Sequence, residues 1–327
     1  GGGGRGGGIA LGGGGGGGGG SYINSNLAVD SLKLENSTTS HPQDGFVEFQ
    51  FTNYPNLGDE IQSAGASGKC LDLLNGKTDN YTTIQLDECT GLSDQKWIFD
   101  GLKIRLAEDL NKCINLKNAD VVDGYIQLRD CYDKARQDWI YDGISGAFRS
   151  GKDPEYCMSL ENKSTADGTD LQMAACDDSN IQQWLIDGAE PVDKSGVKTI
   201  HLASKPDMCL DLYQGTIAST NNIQLYQCTG RSPQQWVFDD SRRIKINKNQ
   251  DWCVDLKGGH TDQGTNIELY QCHYEDNQQW LYDGLTQSFR TWVDLTKCLQ
   301  VAGFGNDSNV ELSDCDGSAA QRWVIED

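Results

Sequence analysis

Short runs in which apolar and polar residues alternate recur along most of this chain, each bounded by Gly, Asn or Asp. Ile223-Gln224-Leu225-Tyr226 and Trp236-Val237-Phe238 are two of them. A period of two over a few residues is the pattern of a half-buried strand, and turn formers on either side fix its ends. No long helical periodicity interrupts the pattern. The expected fold class is therefore all-β. A further alternation sets Val47, Phe49 and Phe51 against Glu48, Gln50 and Thr52, and predicts a strand ahead of the recurring ones.

The recurring strands follow one grammar. Cys253-Val254-Asp255-Leu256 is followed by a polar turn, by Ile267-Glu268-Leu269-Tyr270-Gln271-Cys272, and by Asn277-Gln278-Gln279-Trp280. Gln-x-Trp returns as Gln95/Trp97, Gln137/Trp139, Gln182/Trp184, Gln234/Trp236, Gln278/Trp280 and Gln321/Trp323. Each tryptophan lies eight residues after a cysteine, so the chain holds six repeats. Their tryptophans are spaced 42, 45, 52, 44 and 43 residues apart. The long interval coincides with the turn-rich polar stretch 188–196, which divides the repeats as three plus three. A period of this size also suits a WD40-type propeller. Against that, the residue after each tryptophan is Ile, Leu or Val and never Asp, and a three-plus-three split has no meaning in a closed ring. The expected organisation is a first domain at 57–189, a linker at 190–196 and a second domain at 197–327. Before them stand a non-repeat extension at 21–56 and a segment at 1–20 that is almost all glycine. That segment has nearly nothing to bury, is read as placeholder residues, and is assigned no chemistry.

The net charge of −21 is the wrong sign for gripping phosphate backbones or anionic lipid surfaces. Nucleic acid is excluded as an expected partner, and without a run of 18 apolar residues so is membrane insertion. The start of the chain shows no signal peptide, which predicts a processed, mature chain. The 12 cysteines fall into successive pairs, Cys70/Cys89, Cys113/Cys131, Cys157/Cys176, Cys209/Cys228, Cys253/Cys272 and Cys298/Cys315, one pair per repeat. Zinc would need close Cys-x2-4-Cys or Cys/His clusters, which do not occur. Disulfides are expected instead, and with them a secreted protein. Each loop so closed stabilises its repeat by roughly 3 kcal/mol in the chain-entropy account.

Cys-x-Asp-Leu, Ile-Gln-Leu-Tyr-x-Cys and Gln-x-Trp together resemble the ricin B-type (R-type) lectin domain over roughly residues 57–327. The resemblance implies two tandem β-trefoils, each of three four-stranded repeats about a pseudo-threefold axis. It also implies that Gln-x-Trp is mostly structural, with Trp in the core and Gln stitching backbone. Sugar binding must therefore be argued repeat by repeat. In this family the Asp of Cys-x-Asp accepts from two hydroxyls, the aromatic two before the second Cys stacks on the pyranose, and the Asn before Gln-x-Trp fixes orientation. A Gln four before the second Cys supports them.

Repeat five offers Asp255, Tyr270, Asn277 and Gln278, with Glu268 where the family has Gln. Repeat four offers Asp211, Gln224, Tyr226 and Gln234, with Pro233 in place of the Asn. Repeat one keeps Asp72 and Gln85 but has Asp87 where the ring belongs and Asp94 where the Asn belongs. Repeat two (Asn115, Arg129, Arg136), repeat three (Ser159, Ala174) and repeat six (Gln300, Ser313) read as scaffold. Sequons stand at Asn36, Asn80, Asn162 and Asn306, three of them inside repeats without a complete pocket. No nucleophile elbow, zinc-protease motif or calcium loop is present, so no catalysis and no cofactor are expected. Trp252 and Trp292 fall outside the grammar and are read as packing residues. The function expected is a secreted lectin for galactose-like or related pyranosides. Its rival is a structural subunit of an extracellular filament or matrix, built of trefoil blocks and self-assembling through residues 21–56.

Overall fold

The computed structural model describes residues 58–327. The glycine segment, the extension with its expected strand at Val47 to Phe51, and the sequon at Asn36 lie outside the described residues. Within them are twenty-four strands, four to a repeat. In repeat five these are Ile244–Ile246, Trp252–Leu256, Ile267–Gln271 and Trp280–Asp283. The second and third strands form a hairpin in register, Cys253 opposite Tyr270 and Asp255 opposite Glu268. Just after the first strand of each hairpin a short turn passes through a left-handed residue: Asn75, Asn118, Asn162, Gln214 or Gly258 in the first five repeats. Asn and Gly tolerate that conformation best, and they fill four of the five positions.

Each Gln-x-Trp strand pairs with the first strand of the next repeat, as Trp236–Phe238 does with Ile244–Ile246. The last one in each trefoil closes on the first strand of its own domain. Trp184–Leu185 pairs with Gln62–Ser63, and Trp323–Glu326 with Thr199–Leu202. This closure makes two separate barrels, each of three repeats. Each also has its own core. Trp97, Trp139 and Trp184 lie in the first and Trp236, Trp280 and Trp323 in the second, amid Leu, Ile and Val from the alternating strands.

Six disulfides join the cysteines within their own repeats, and no cysteine is free. In the first trefoil Cys70 is bonded to Cys89, Cys113 to Cys131 and Cys157 to Cys176. In the second, Cys209 is bonded to Cys228, Cys253 to Cys272 and Cys298 to Cys315. The two ends of each bridge differ in a way that the even spacing of the pairs does not convey. The first cysteine of every pair is wholly buried on its hairpin strand. Cys89, Cys131, Cys176, Cys228, Cys272 and Cys315 are only half-buried, because they stand where the third strand has ended and the chain turns outward. Each bridge therefore ties a surface turn down to the barrel.

The two trefoils are also bonded to one another. Gly143 N–H donates to the Tyr282 carbonyl at 2.8 Å, and Gly284 N–H donates to that of Tyr141 at 3.0 Å. Ile144 of the first trefoil packs on the core of the second, and Leu285 of the second on the core of the first. Beneath this exchange sit two matching buried ion pairs, Arg149 with Asp142 and Arg290 with Asp283, each at 2.8 Å. Trp292, outside the repeat grammar, carries the Arg242 guanidinium 3.7 Å from its ring centre, and Arg242 reaches across to Glu155 at 2.8 Å. Trp252 packs against the second core. The segment joining the trefoils is folded onto both, with Ala189 on the first core and Val192 on the second.

Candidate functional site

The Gln-x-Trp motif does the same work in all six repeats. The Trp Nε1–H donates to the carbonyl of the residue after the first cysteine, as Trp280 does to Val254 at 3.1 Å. The Gln amide spans the strand end around the second cysteine. Gln278 Oε1 accepts from His273 N at 2.8 Å and its Nε2 donates to the Gln271 carbonyl at 3.1 Å, so the amide brackets Cys272. Gln234 brackets Cys228 in the same way through Thr229 and Gln227, at 2.6 and 2.9 Å. Gln95, Gln137, Gln182 and Gln321 do so for Cys89, Cys131, Cys176 and Cys315. These cysteines and their glutamines thus form the staple of each repeat, and the sulfurs offer nothing to a ligand. Gln234 and Gln278 are wholly buried and act from beneath a ligand surface.

In repeat five, Asp255, Glu268 and Tyr270 fall on one face of the hairpin, because they sit two apart or directly opposite in the register. Asp255 is only 3% exposed. Its Oδ2 accepts from Gln278 Nε2 at 2.7 Å and Asn277 Nδ2 at 3.0 Å, and lies 3.4 Å from His273 Nε2. Among the described residues, nothing donates to its Oδ1. Burial raises its pKa above the ordinary carboxylate range, against the pull of the Gln278 hydrogen bond and the other donors. Tyr270 is 39% exposed, and His273 meets it edge-on with ring centres 6.1 Å apart. A carboxylate held at one oxygen and open at the other, beside an exposed ring, can accept from hydroxyls while the ring covers a C–H face.

Glu268, facing Asp255 across the hairpin, is also buried and its pKa is raised, first by desolvation. Lys257 lies 3.9 Å away. An ionised glutamate cannot donate to Asp255 as the glutamines of repeats one and four do to their aspartates. Gln224 Nε2 donates to Asp211 Oδ1 at 2.8 Å, and Gln85 Nε2 to Asp72 Oδ1 at 3.0 Å. In repeat one Gln95 also holds Asp72 Oδ2 at 2.9 Å, so both oxygens are engaged within the chain. Repeat four keeps Tyr226 half-buried beside Asp211, and Pro233 stands over Gly215 where a hydrogen-bonding amide is absent.

His273 is the residue that sequence reasoning missed. It follows Cys272 directly, at a position where the other repeats carry Thr90, Tyr132, Asp177, Thr229 and Asp316. Its Nδ1 accepts from Glu275 N at 3.3 Å, which leaves Nε2 to carry the proton toward Asp255. Aligning the six copies at that position would have exposed it.

Repeat three has no carboxylate at the Cys-x-Asp position, and in repeat six Gln300 accepts from Gln321 at 3.0 Å. Of the sequons, Asn162 and Asn306 are exposed. Asn80 is half-buried and its amide already donates to Asp130 at 2.7 Å. Among the described residues the one close Cys/Glu grouping is Glu60, Cys70 and Cys89, and its sulfurs are joined in a disulfide that offers no thiolate to a metal.

The sequence profile of the family described as "Ricin-type beta-trefoil lectin domain" matches residues 58–190 and 198–325. Among curated proteins no match is found. Among solved structures, the chain is similar to a mosquitocidal holotoxin at 17% identity and a TM-score of 0.36, over 88% of this chain and 36% of that one. It thus spans about a third of that protein's length. It is similar to the agglutinin from Abrus precatorius at 19% identity and a TM-score of 0.36, over 85% and 99% of the two chains. A non-toxic homologue of type II RIPs from Momordica charantia (bitter gourd), solved with alpha-methyl-D-galactoside, is 22% identical with a TM-score of 0.35, over 82% and 96%.

Proposed function

This chain belongs to the family of ricin-type β-trefoil lectin domains, and from that premise we propose that it is a secreted lectin for galactose-like pyranosides, with no catalysis in this chain. The principal site is repeat five and the second is repeat four. The observation that supports this reading is the state of Asp255. Three donors converge on its Oδ2 and leave Oδ1 open, next to the exposed face of Tyr270. Adjacent hydroxyls on one pyranose can share such a carboxylate, Asn277 orients them, and the tyrosine covers the apolar face of the ring.

A single shallow site of this kind binds on the order of millimolar, about −4 kcal/mol. Useful affinity then comes from repeats four and five engaging one glycan surface together. The six disulfides support secretion, since such a frame persists in oxidising compartments. A glycan array on the purified chain, repeated with an Asp255→Ala, Asp211→Ala double variant, tests the reading. Loss of galactoside spots in the variant is the expected result, and an unchanged array would overturn it.

A further inference from the structure

Repeat two lacks the Asp of a neutral-sugar pocket, yet it is not bare. Arg129 occupies the position of the stacking ring and Arg136 that of the orienting Asn. Both guanidiniums lie against one tyrosine, at 5.5 and 5.8 Å from the centre of the Tyr132 ring. Arg129 also lies 5.2 Å from the Tyr81 ring, which reaches over from repeat one and is 62% exposed. The Tyr132 hydroxyl donates to Asn115 Oδ1 at 2.5 Å, and Asn115 is wholly buried.

Among the described residues neither arginine forms an ion pair or donates a side-chain hydrogen bond. That is unusual company for two cations in a chain of net charge −21. The adjacent carboxylate, Asp130, feels the charge of Arg129 but makes its direct contacts elsewhere. Asp130 gives one oxygen to Lys112 at 2.6 Å and the other to Asn80 at 2.7 Å. Asp133, on the other side of Tyr132, forms no ion pair among the described residues either. Two half-exposed guanidiniums are thus fixed by aromatic faces with their planar donor edges unspent.

From this geometry we propose that repeat two is an anionic-saccharide site. Arg129 and Arg136 bind a sulfate ester or carboxylate on the sugar, and Tyr81 and Tyr132 pack against its ring. Guanidinium forks match the paired oxygens of either group. The exposed Tyr81 ring favours a saccharide over a bare anion, because it offers apolar area that an inorganic ion cannot cover. A neutral galactoside gains little here, since a wholly buried, uncharged Asn115 stands where the carboxylate acceptor would be.

The proposal does not rest on repeat five, and its test separates the two. The purified full chain is titrated calorimetrically with galactose 6-sulfate, galacturonic acid, galactose and inorganic sulfate. The variants are Arg129→Gln/Arg136→Gln, Arg129→Lys/Arg136→Lys and Asp255→Ala. One of the two acidic sugars should bind at least tenfold more tightly than galactose, and which one does so identifies the anionic group. Added salt should weaken that binding. The double Gln variant should lose the preference, the double Lys variant should keep part of it, and Asp255→Ala should lose galactose binding while still binding the acidic sugar tightly. Circular dichroism of the Gln variant checks that its fold is unchanged. An unaltered preference in that correctly folded variant would overturn the proposal, as would inorganic sulfate binding as tightly as the acidic sugar. Loss of the tight acidic-sugar binding in Asp255→Ala would also overturn it, by moving the anion to repeat five.

Discussion

Gly143 and Gly284 face each other across the junction of the two trefoils, backbone against backbone. A Cβ added at Gly143 would come within 2.6 Å of the Gly284 Cα, and one added at Gly284 within 2.8 Å of the Gly143 Cα. Both follow the Asp of a Trp-x-Tyr-Asp-Gly run, in repeat two and repeat five, so equivalent positions of the two domains meet. The strands that carry them pair at Asp142 and Asp283.

Gly143→Ala should therefore force the strands apart, because the obstructing atoms are backbone and cannot rotate away. The cost expected is about 1–3 kcal/mol, as for overpacking. It should fall on the junction rather than on either core. Calorimetry should show one cooperative transition in the parent chain and two separated transitions in the variant. A single transition at the parent temperature would show that the contact does not couple the trefoils.

Asp255→Ala removes the charged acceptor and should cost roughly 1.5–3 kcal/mol of sugar binding. From a site near millimolar, that leaves almost nothing measurable by titration. Tyr270→Ala should weaken binding by removing the stacking face. Asn115→Ala should not change galactoside binding, because its Oδ1 already accepts from Tyr132. Equal losses at Asp255 and Asn115 would point to a general effect on the fold.

The barrels and the disulfide frame were legible in the sequence because each motif residue has a fixed structural duty. Trp280 must donate to Val254 and Gln278 must span the strand end at Cys272, and five other copies repeat those bonds at one spacing. Spacing did not reveal that Cys131, Cys176, Cys228 and Cys315 would lie half-exposed at strand ends while their partners are buried, because burial depends on where each strand stops. The junction was not legible. Gly143 and Gly284 are ordinary turn glycines until the barrels are placed side by side, and no local pattern states which repeats will touch. His273 escaped for a different reason. Its contribution depends on a side chain bending back past Cys272 toward Asp255, and the alternation of apolar and polar residues does not encode that path. Arg129 and Arg136 were visible as departures from a sugar pocket, but their shared contact with Tyr132 was not.

Glu268→Gln should stabilise the second trefoil at neutral pH by about 1 kcal/mol, the net value of a typical hydrogen bond. The glutamine would donate to Asp255, as Gln224 does to Asp211, and would remove one of two facing buried carboxylates. The small loss of the Lys257 contact, with that lysine largely exposed, offsets little. The pH dependence has a definite sign. Burial raises the folded pKa of Glu268, so its ionisation costs stability above that pKa and costs nothing below the unfolded value of about 4.3. The advantage of the variant should shrink as pH falls into that range. Thermal melts at neutral and acid pH compare the two chains, and an advantage that grows on acidification would refute the account.

The last prediction concerns how acid ends sugar binding. Asp255 must be ionised to accept from two hydroxyls, and burial places its pKa above the ordinary carboxylate value. Binding at repeat five should therefore fail on acidification at a higher pH than an exposed aspartate, near 3.9, would set. His273 opposes that shift, because its Nε2 lies 3.4 Å from Asp255 Oδ2 and both its charge and its hydrogen bond favour the carboxylate. His273→Ala removes that support while Gln278 and Asn277 still hold the same oxygen. Its acid limit should move upward, with binding near neutral pH weakened less than in Asp255→Ala. The T-shaped contact with Tyr270 is lost too, so a modest weakening at all pH values accompanies the shift. His273→Gln restores a donor without the ring and should recover part of the shift but none of the ring contact. Affinity for a galactoside, measured across pH for the parent and both variants, separates the two effects. An acid limit that stays in place when His273 is removed would mean that Gln278 and Asn277 alone set the ionisation of Asp255.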